Sequence, residues 1–429
     1  MAQDSALVLE PLNNFPRTLP DSRTAVCRIL PQPPSTQAEF DDKMTLWVMI
    51  PSNLRIRLHF IPIVALICLA AVGWPNSSAA ARNPYSKIQP PAQQTSGQDS
   101  PLPVFEFHSG FWVNLHHFLY LQARLSQGNP SSTDNGRGQA PPDEHLASLL
   151  DFPAADIQAW HDAVAFYAKD LARRDLLLNG DMQNINDRLA DMETCPDLDG
   201  KTSPSCKSGL RPELIETLQR AAPVYRAHWW PEQDRADREW IAQVSPLVRR
   251  MGVELSGQLA DIYQRTWPSN RLRVDVVWYG GPFGAYTSLS PTHVTISSHD
   301  PRNRGVYGFE VLFHESSHAL SGSVSEAIAR EFRARDKPIP RELWHALLFY
   351  TTGEMVRRDV LYGAASTTDP QERDPQDPDS STYQTYATRF GLYSGSWVRF
   401  RGLLDLYWLP YLDGRISFDT AIARLAAAM

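Results

Sequence analysis

Phe313 to Ser321 reads FHESSHALS, and within it His314, Glu315 and His318 form the pattern HExxH. On a helix, four residues turn the chain through about 400°, so the imidazoles of His314 and His318 project from one face, one turn apart. Two neutral nitrogens so placed can grip one Zn²⁺. Glu315 stands between them, where a general base can take a proton from a water on that ion. The flanks favour a buried helix. Val311 and Leu312 precede the motif, Ala319 and Leu320 follow it, and no proline falls between Tyr307 and Leu320. The competing reading is a core helix with two histidines and a solvated glutamate.

Two histidines leave a catalytic zinc one protein ligand short, besides the open position for water. The pattern HExxHxxGxxH would supply a third histidine, but Ser321 and Val324 stand at its glycine and last histidine positions. The ligand is therefore expected from a later helix. Glu354 is the preferred candidate. It lies among Leu343, Leu347, Leu348, Met355 and Val356, where a carboxylate is costly to bury without a charged partner. Glu326 is the rival, close behind the motif, and His345 is a third candidate. His345 and Glu354 are half a turn apart around one helix, so they cannot serve the same ion. The competing reading for Glu354 is an ion pair with Arg357 or Arg358 at i+3 or i+4. A further donor should stabilise developing negative charge on a substrate oxygen. His345, Tyr383, Tyr386 and Tyr393 are the candidates, and His345 is the one assigned a catalytic role beside Glu315.

Around these residues the stretch from about Leu272 to Leu361 resembles the gluzincin branch of the zincin-like metallopeptidases: strands, the HExxH helix, then a helix offering a glutamate. The resemblance implies zinc held by His314 and His318, Glu315 as general base, a later glutamate such as Glu354 as third ligand, and hydrolysis of peptide bonds in a peptide or protein substrate. There is a departure. Many gluzincins carry an aspartate four residues after the ligand glutamate, and Arg358 stands there. The stretches FHSGFWVNLHHFLY and LWHALLFYTTGEMVRR are similar to exported bacterial proteins, which implies no substrate. A non-catalytic zinc-binding protein with a structural or binding role is the alternative function, although such a site has no need of Glu315.

The elements that must position these residues read as an α+β fold, mostly α. The chain has 429 residues, 42% of them hydrophobic and 21% charged, with a net charge of -7. That suffices for a large core. No basic cluster stands out, which argues against nucleic-acid binding. Residues 1–43 read as an upstream extension, disordered or preceding a true start at Met44 or Met49. Residues 44–81 carry Arg55 and Arg57, the apolar run Phe60 to Trp74 and a small-residue exit, the arrangement of a secretory signal peptide. The run is short for a membrane span, so no stable span is expected after cleavage; an uncleaved signal anchor is the alternative. Residues 82–103 read as a disordered linker. The expected address is periplasmic or secreted. Cys195 and Cys206 flank a loop of turn-forming residues, and a disulfide there suits an oxidising compartment.

Residues 104–429 form the expected zincin-like catalytic domain. Its first part, 104–265, reads as helical, with helices from about Gly110, Asp156, Asn184, Pro212 and Gln233, and a kink or break at Pro246. His108, His116 and His117 read as packing and hydrogen-bonding residues. The second part, 266–320, holds strands at Leu272–Tyr279, Ala285–Leu289 and His293–Ser298, then the motif helix. Such a strand beside a zincin helix is suited to bind an extended peptide by strand addition. The third part, 321–429, reads as helices at Val324–Ala334, Glu342–Leu361, Tyr383–Phe400, Gly402–Tyr411 and Phe418–Ala428.

Overall fold

The computed structural model describes residues 104–127, 152–269, 271–366 and 383–429. The expected extension, signal segment and linker, residues 1–103, fall outside the described residues. The described chain is α+β and mostly helical, with one four-stranded sheet. No described helix is long and apolar enough to cross a membrane.

The chain opens with a strand, β1 (Phe105–His108), then α1 (Phe111–Ser126). Every α1 residue from Phe111 to Ala123 is buried. A helix buried on all sides must be central, and α1 is wrapped by α2 (Ala154–Lys169), α3 (Gly180–Asp191) and α4 (Pro212–His228). The expected long helix from Asp156 ends earlier than its apolar pattern suggested. At Asp170 the chain turns into a 3₁₀ segment that buries Leu171 and Ala172. Trp160 and Tyr225 stack within this layer. The expected disulfide is formed: Cys195 and Cys206 are joined, with Cα atoms 5.4 Å apart.

Helix α5 (Trp230–Tyr263) runs unbroken through Pro246. The expected break does not occur, because long rows of buried side chains on either side of the proline, among them Val244, Val248, Leu255 and Leu259, hold both halves to one core. Three strands follow, β2 (Leu272–Val277), β3 (Ala285–Leu289) and β4 (Thr292–Ser297). The sheet order is β1-β2-β4-β3. Strands β1, β2 and β4 are parallel, and β3 runs antiparallel to β4. The stretch 104–265 is thus not wholly helical, since Phe105 pairs with Leu272 and His108 with Asp275. Strand β1 has four residues, too few for an alternating pattern to stand out beside the aromatic helix after it.

The sheet's two faces serve two cores. Val274, Val276, Ala285, Val294 and Ile296 face a core shared with α5 and the motif helix α6 (Gly305–Ser317). Val277, Trp278 and Tyr286 face the α1–α4 layer. On the first of these faces, α6 is anchored by Phe313, whose ring meets Phe105 of β1 at 5.0 Å and Phe309 at 4.8 Å between centroids. Truncating Phe313 to alanine should cost about 3–5 kcal/mol.

After the motif come α7 (Gly322–Arg333) and α8 (Leu343–Ser366). The expected helix Tyr383–Phe400 is instead cut into α9 (Tyr386–Arg389), a turn at Gly395–Trp397 and α10 (Val398–Leu403). The interruptions fall where Gly391 and Gly395 adopt φ of 65° and 56°, which side chains rarely tolerate. A π-helical stretch, Leu404–Trp408, leads into α11 (Leu409–Leu412), and α12 (Phe418–Ala428) closes the chain. Ser417 caps α12 by accepting from the Thr420 N–H.

Candidate metal centre

Helix α6 places His314 and Glu315 on its last turn, and His318 opens the 3₁₀ turn His318–Leu320 that continues it. The early turns of α8 bring His345 back against them. One ligand nitrogen from each of His314, His318 and His345 falls within 4.8 Å of the others, a group that could hold a metal ion. The three rings form a nearly equilateral triangle, with centroids 5.0, 5.2 and 5.1 Å apart. His314 Nε2 and His345 Nε2 are 3.2 Å apart. Two imidazole nitrogens bonded to one tetrahedral zinc at about 2.05 Å would be about 3.3 Å apart, so the spacing fits a shared ion.

The protonation of the group fits too. Burial pushes His314 well below its usual value, with His318 and His345 adding to the effect. Burial also lowers His318 to about 3, helped by His345. Both rings are therefore neutral near pH 7, as metal ligands must be. Metal-binding histidines commonly donate their second nitrogen to an acceptor. His314 departs from that habit: its Nδ1 is buried with no hydrogen-bond partner among the described residues. Its orientation rests instead on Phe349, stacked on it at 3.4 Å and 15°. Trp344 stacks on His345 and meets His318 edge-on. Trp397 meets His345 from another side. These aromatic rings make the surroundings of the triangle apolar.

Glu315 is buried beside the triangle, its Oε2 3.8 Å from His318 Nε2. Thr287 of β3 donates its hydroxyl to Glu315 Oε2 at 2.8 Å and to the Glu315 carbonyl at 2.7 Å. Burial raises the Glu315 carboxyl to about 7, against the opposing effect of the Thr287 hydrogen bond. Thr287 pairs with Val294 on the sheet face turned toward α6. Sequence reasoning did not single it out; its period-two placement on an edge strand was the only signal available.

Glu354, the expected third ligand, is not brought to the triangle. Its carboxylate accepts from Arg357 at 2.9 and 2.6 Å and from Arg358 at 2.9 Å. The two guanidiniums at i+3 and i+4 supply the charged partners its burial demands. The rival Glu326 is also elsewhere, on the surface beside Arg265. His345, expected to act in catalysis, stands instead where the third ligand is needed.

The other tyrosine candidates divide. Tyr383 donates its hydroxyl to Glu310 Oε2, and Tyr393 donates to the Ala346 carbonyl at 3.2 Å. The Tyr386 hydroxyl donates to none of the described residues. Its ring lies parallel to Phe349, with centroids 6.0 Å apart. Burial raises its pKa, Arg302 opposes that, and Asp300, Glu315 and Glu310 add to it, so the hydroxyl senses the Glu315 carboxylate.

The histidines of the first helix serve packing. His116 and His117 are wholly buried, with His116 Nδ1 2.8 Å from the Tyr167 hydroxyl and His117 Nε2 2.8 Å from that of Tyr286. His108 pairs with Glu193. Comparison of the chain with family models, with curated proteins and with solved structures gives no match in any of the three.

Proposed function

We propose that the protein is a metal-dependent hydrolase of peptide bonds, with zinc held by His314, His318 and His345. The observation that carries this reading is the triangle of imidazoles with a buried carboxylate, Glu315, at its side. A site that served only to brace the fold would have no use for that carboxylate. A divalent ion there would acidify a water and polarise a carbonyl.

The chain's own residues supply the remaining steps. Glu315 takes the proton of the attacking water and delivers it to the leaving amine. Thr287 fixes Glu315 Oε2, the oxygen that stands 3.8 Å from His318 Nε2, and so holds the carboxylate toward the triangle. The apolar shell of Trp344, Phe349 and Trp397 keeps bulk water from competing. Tyr386, whose hydroxyl donates to none of the described residues, serves as donor to the carbonyl oxygen as it gains charge.

The sheet edge supports an extended peptide as substrate. Ser297 N donates to Gly284 O at 2.7 Å, which sets the phase of the β3–β4 ladder. Alternation then turns the backbone N–H and C=O of Ala285 and Thr287 away from β4. A substrate strand can pair there, directly beside Glu315. Export is part of the proposal and is supported by the disulfide, since such bonds persist outside the reducing cytosol.

The test is metal analysis of the purified chain, followed by cleavage of fluorescently quenched casein with and without a chelator. Stoichiometric zinc and chelator-sensitive cleavage, lost in Glu315→Gln, are the expected results. Cleavage that survives the substitution would refute the reading.

A further inference from the structure

Helix α6 carries a second buried glutamate that the mechanism above does not use. Glu310 lies one turn before His314 and is 1% exposed. No cation among the described residues pairs with its carboxylate. It receives the Tyr386 backbone N–H on both oxygens, each at 2.9 Å, and the Tyr383 hydroxyl on Oε2. All three bonds come from one short segment, Tyr383–Tyr386.

The closeness of this junction is written into α8 as well. A Cβ at Gly353 would fall 2.8 Å from Glu310 Oε1 and 2.8 Å from Thr385 Cβ. The helix that bears His345 therefore keeps a glycine where the glutamate and the segment press on it. Three pieces of chain meet here: the helix with two metal donors, the helix with the third, and the segment bearing Tyr386. On the other side of Tyr386, its ring lies along Phe349, which stacks on His314.

An acid buried without a counter-charge is expensive unless its hydrogen bonds are complete. Here they are made by a segment whose own role is to place Tyr386. We propose that Glu310 is a positioning residue: it clasps Tyr383–Tyr386 to the metal-donor helix and thereby sets where the Tyr386 hydroxyl stands relative to a ligand on the ion. The inference rests on the reading of the site as a metal-dependent hydrolase.

The experiment uses the full chain loaded with Co²⁺ and titrated with acetohydroxamate, a small chelating probe, followed by the visible absorption of the cobalt. Metal content is measured for each variant. Tyr386→Phe and Glu310→Ala are each expected to retain metal and to weaken the probe about tenfold, the worth of one hydrogen bond to a charged ligand. The double variant should be no weaker than either single one, because both remove the same contact. Glu310→Gln, which keeps an acceptor for the Tyr386 N–H, should retain most of the wild-type affinity. Should Glu310→Ala fail to fold, Tyr383→Phe takes its place. It should weaken the probe several-fold, and only when Tyr386 is present. A loaded Glu310→Ala or Tyr383→Phe protein with wild-type affinity, or losses that multiply in the double variant, would overturn the proposal alone. A wild-type chain that takes up no metal would overturn the hydrolase reading and this inference with it.

Discussion

His314 Nε2 and His345 Nε2 stand 3.2 Å apart, although one residue comes from the motif helix and the other from a helix beyond α7. Without an ion between them, two imidazole nitrogens at that distance need a shared proton or repel one another. The pairing predicts the ligand set. His345→Ala should lose most bound metal, while Glu354→Ala should keep it and lose only about 1 kcal/mol of stability from its exchanged ion pairs. Metal content by mass spectrometry separates the two cases, and retention in His345→Ala would exclude it as a ligand.

Glu315→Gln should keep the metal and the fold. Peptide cleavage should fall by about 10²–10⁴-fold, the ordinary contribution of a positioned base. The comparison to make is kcat against metal occupancy in the same preparation.

Thr287→Val removes the hydroxyl that steadies Glu315 without changing the strand's shape. We expect cleavage to drop about 10-fold or more, the scale seen when a partner orienting a metal-site residue is removed. Thermal stability should change by less than about 1.5 kcal/mol, since one hydrogen bond is lost. A variant that cleaves as fast as wild type would show that Glu315 is oriented by other means.

The third ligand separates what was legible in the sequence from what was not. HExxH is a local pattern, so the helix, the shared face of His314 and His318 and the place of Glu315 could all be read from spacing. The sheet from Leu272 onward followed from period-two alternation. The choice between His345 and Glu354 is different in kind, since it depends on which face of α8 turns inward after a reversal of the chain. Arg357 and Arg358 carried the relevant signal, because a glutamate with two guanidiniums on its own helix already has its partners. Strand β1 was hidden for a similar reason. Its pairing with β2 lies far along the chain, and four residues beside an aromatic helix carry no period of their own. The role of Glu310 is likewise a matter of tertiary contact.

A pH dependence follows from the polar face of the sheet. His293 lies between Asp275 at 2.9 Å and Asp187 at 2.8 Å. Burial lowers its pKa, but hydrogen bonds to Asp187 and Asp275 outweigh this and hold it at about 9. A histidine raised in the folded state stabilises fully below its unfolded value of about 6.5, and the contribution is lost as pH climbs through about 9. Chemical denaturation should therefore show His293→Gln weaker than wild type by about 2 kcal/mol near pH 6, with the gap closing toward pH 9.5. A gap that widened with pH would mean the ring is neutral in the folded protein.

The Cys195–Cys206 bond closes a short loop packed against the α1–α4 layer. Replacing both cysteines with serine should lower stability by about 2–3 kcal/mol, as expected for a loop of this length. A reduced wild-type sample should melt at the same temperature as the double variant, which calorimetry can establish.

The parallel pairing of Phe105 with Leu272 sets the order in which this molecule can be assembled. Strand β1 leaves the ribosome well before β2 and must wait while at least the five described helices between them are made. Such distant partners slow folding, because the chain between them has to be gathered in first. The sheet closes only once Ser297 has emerged, and the imidazole triangle only after His345. An ion held by all three imidazoles would therefore find its full donor set only after most of the chain has been made.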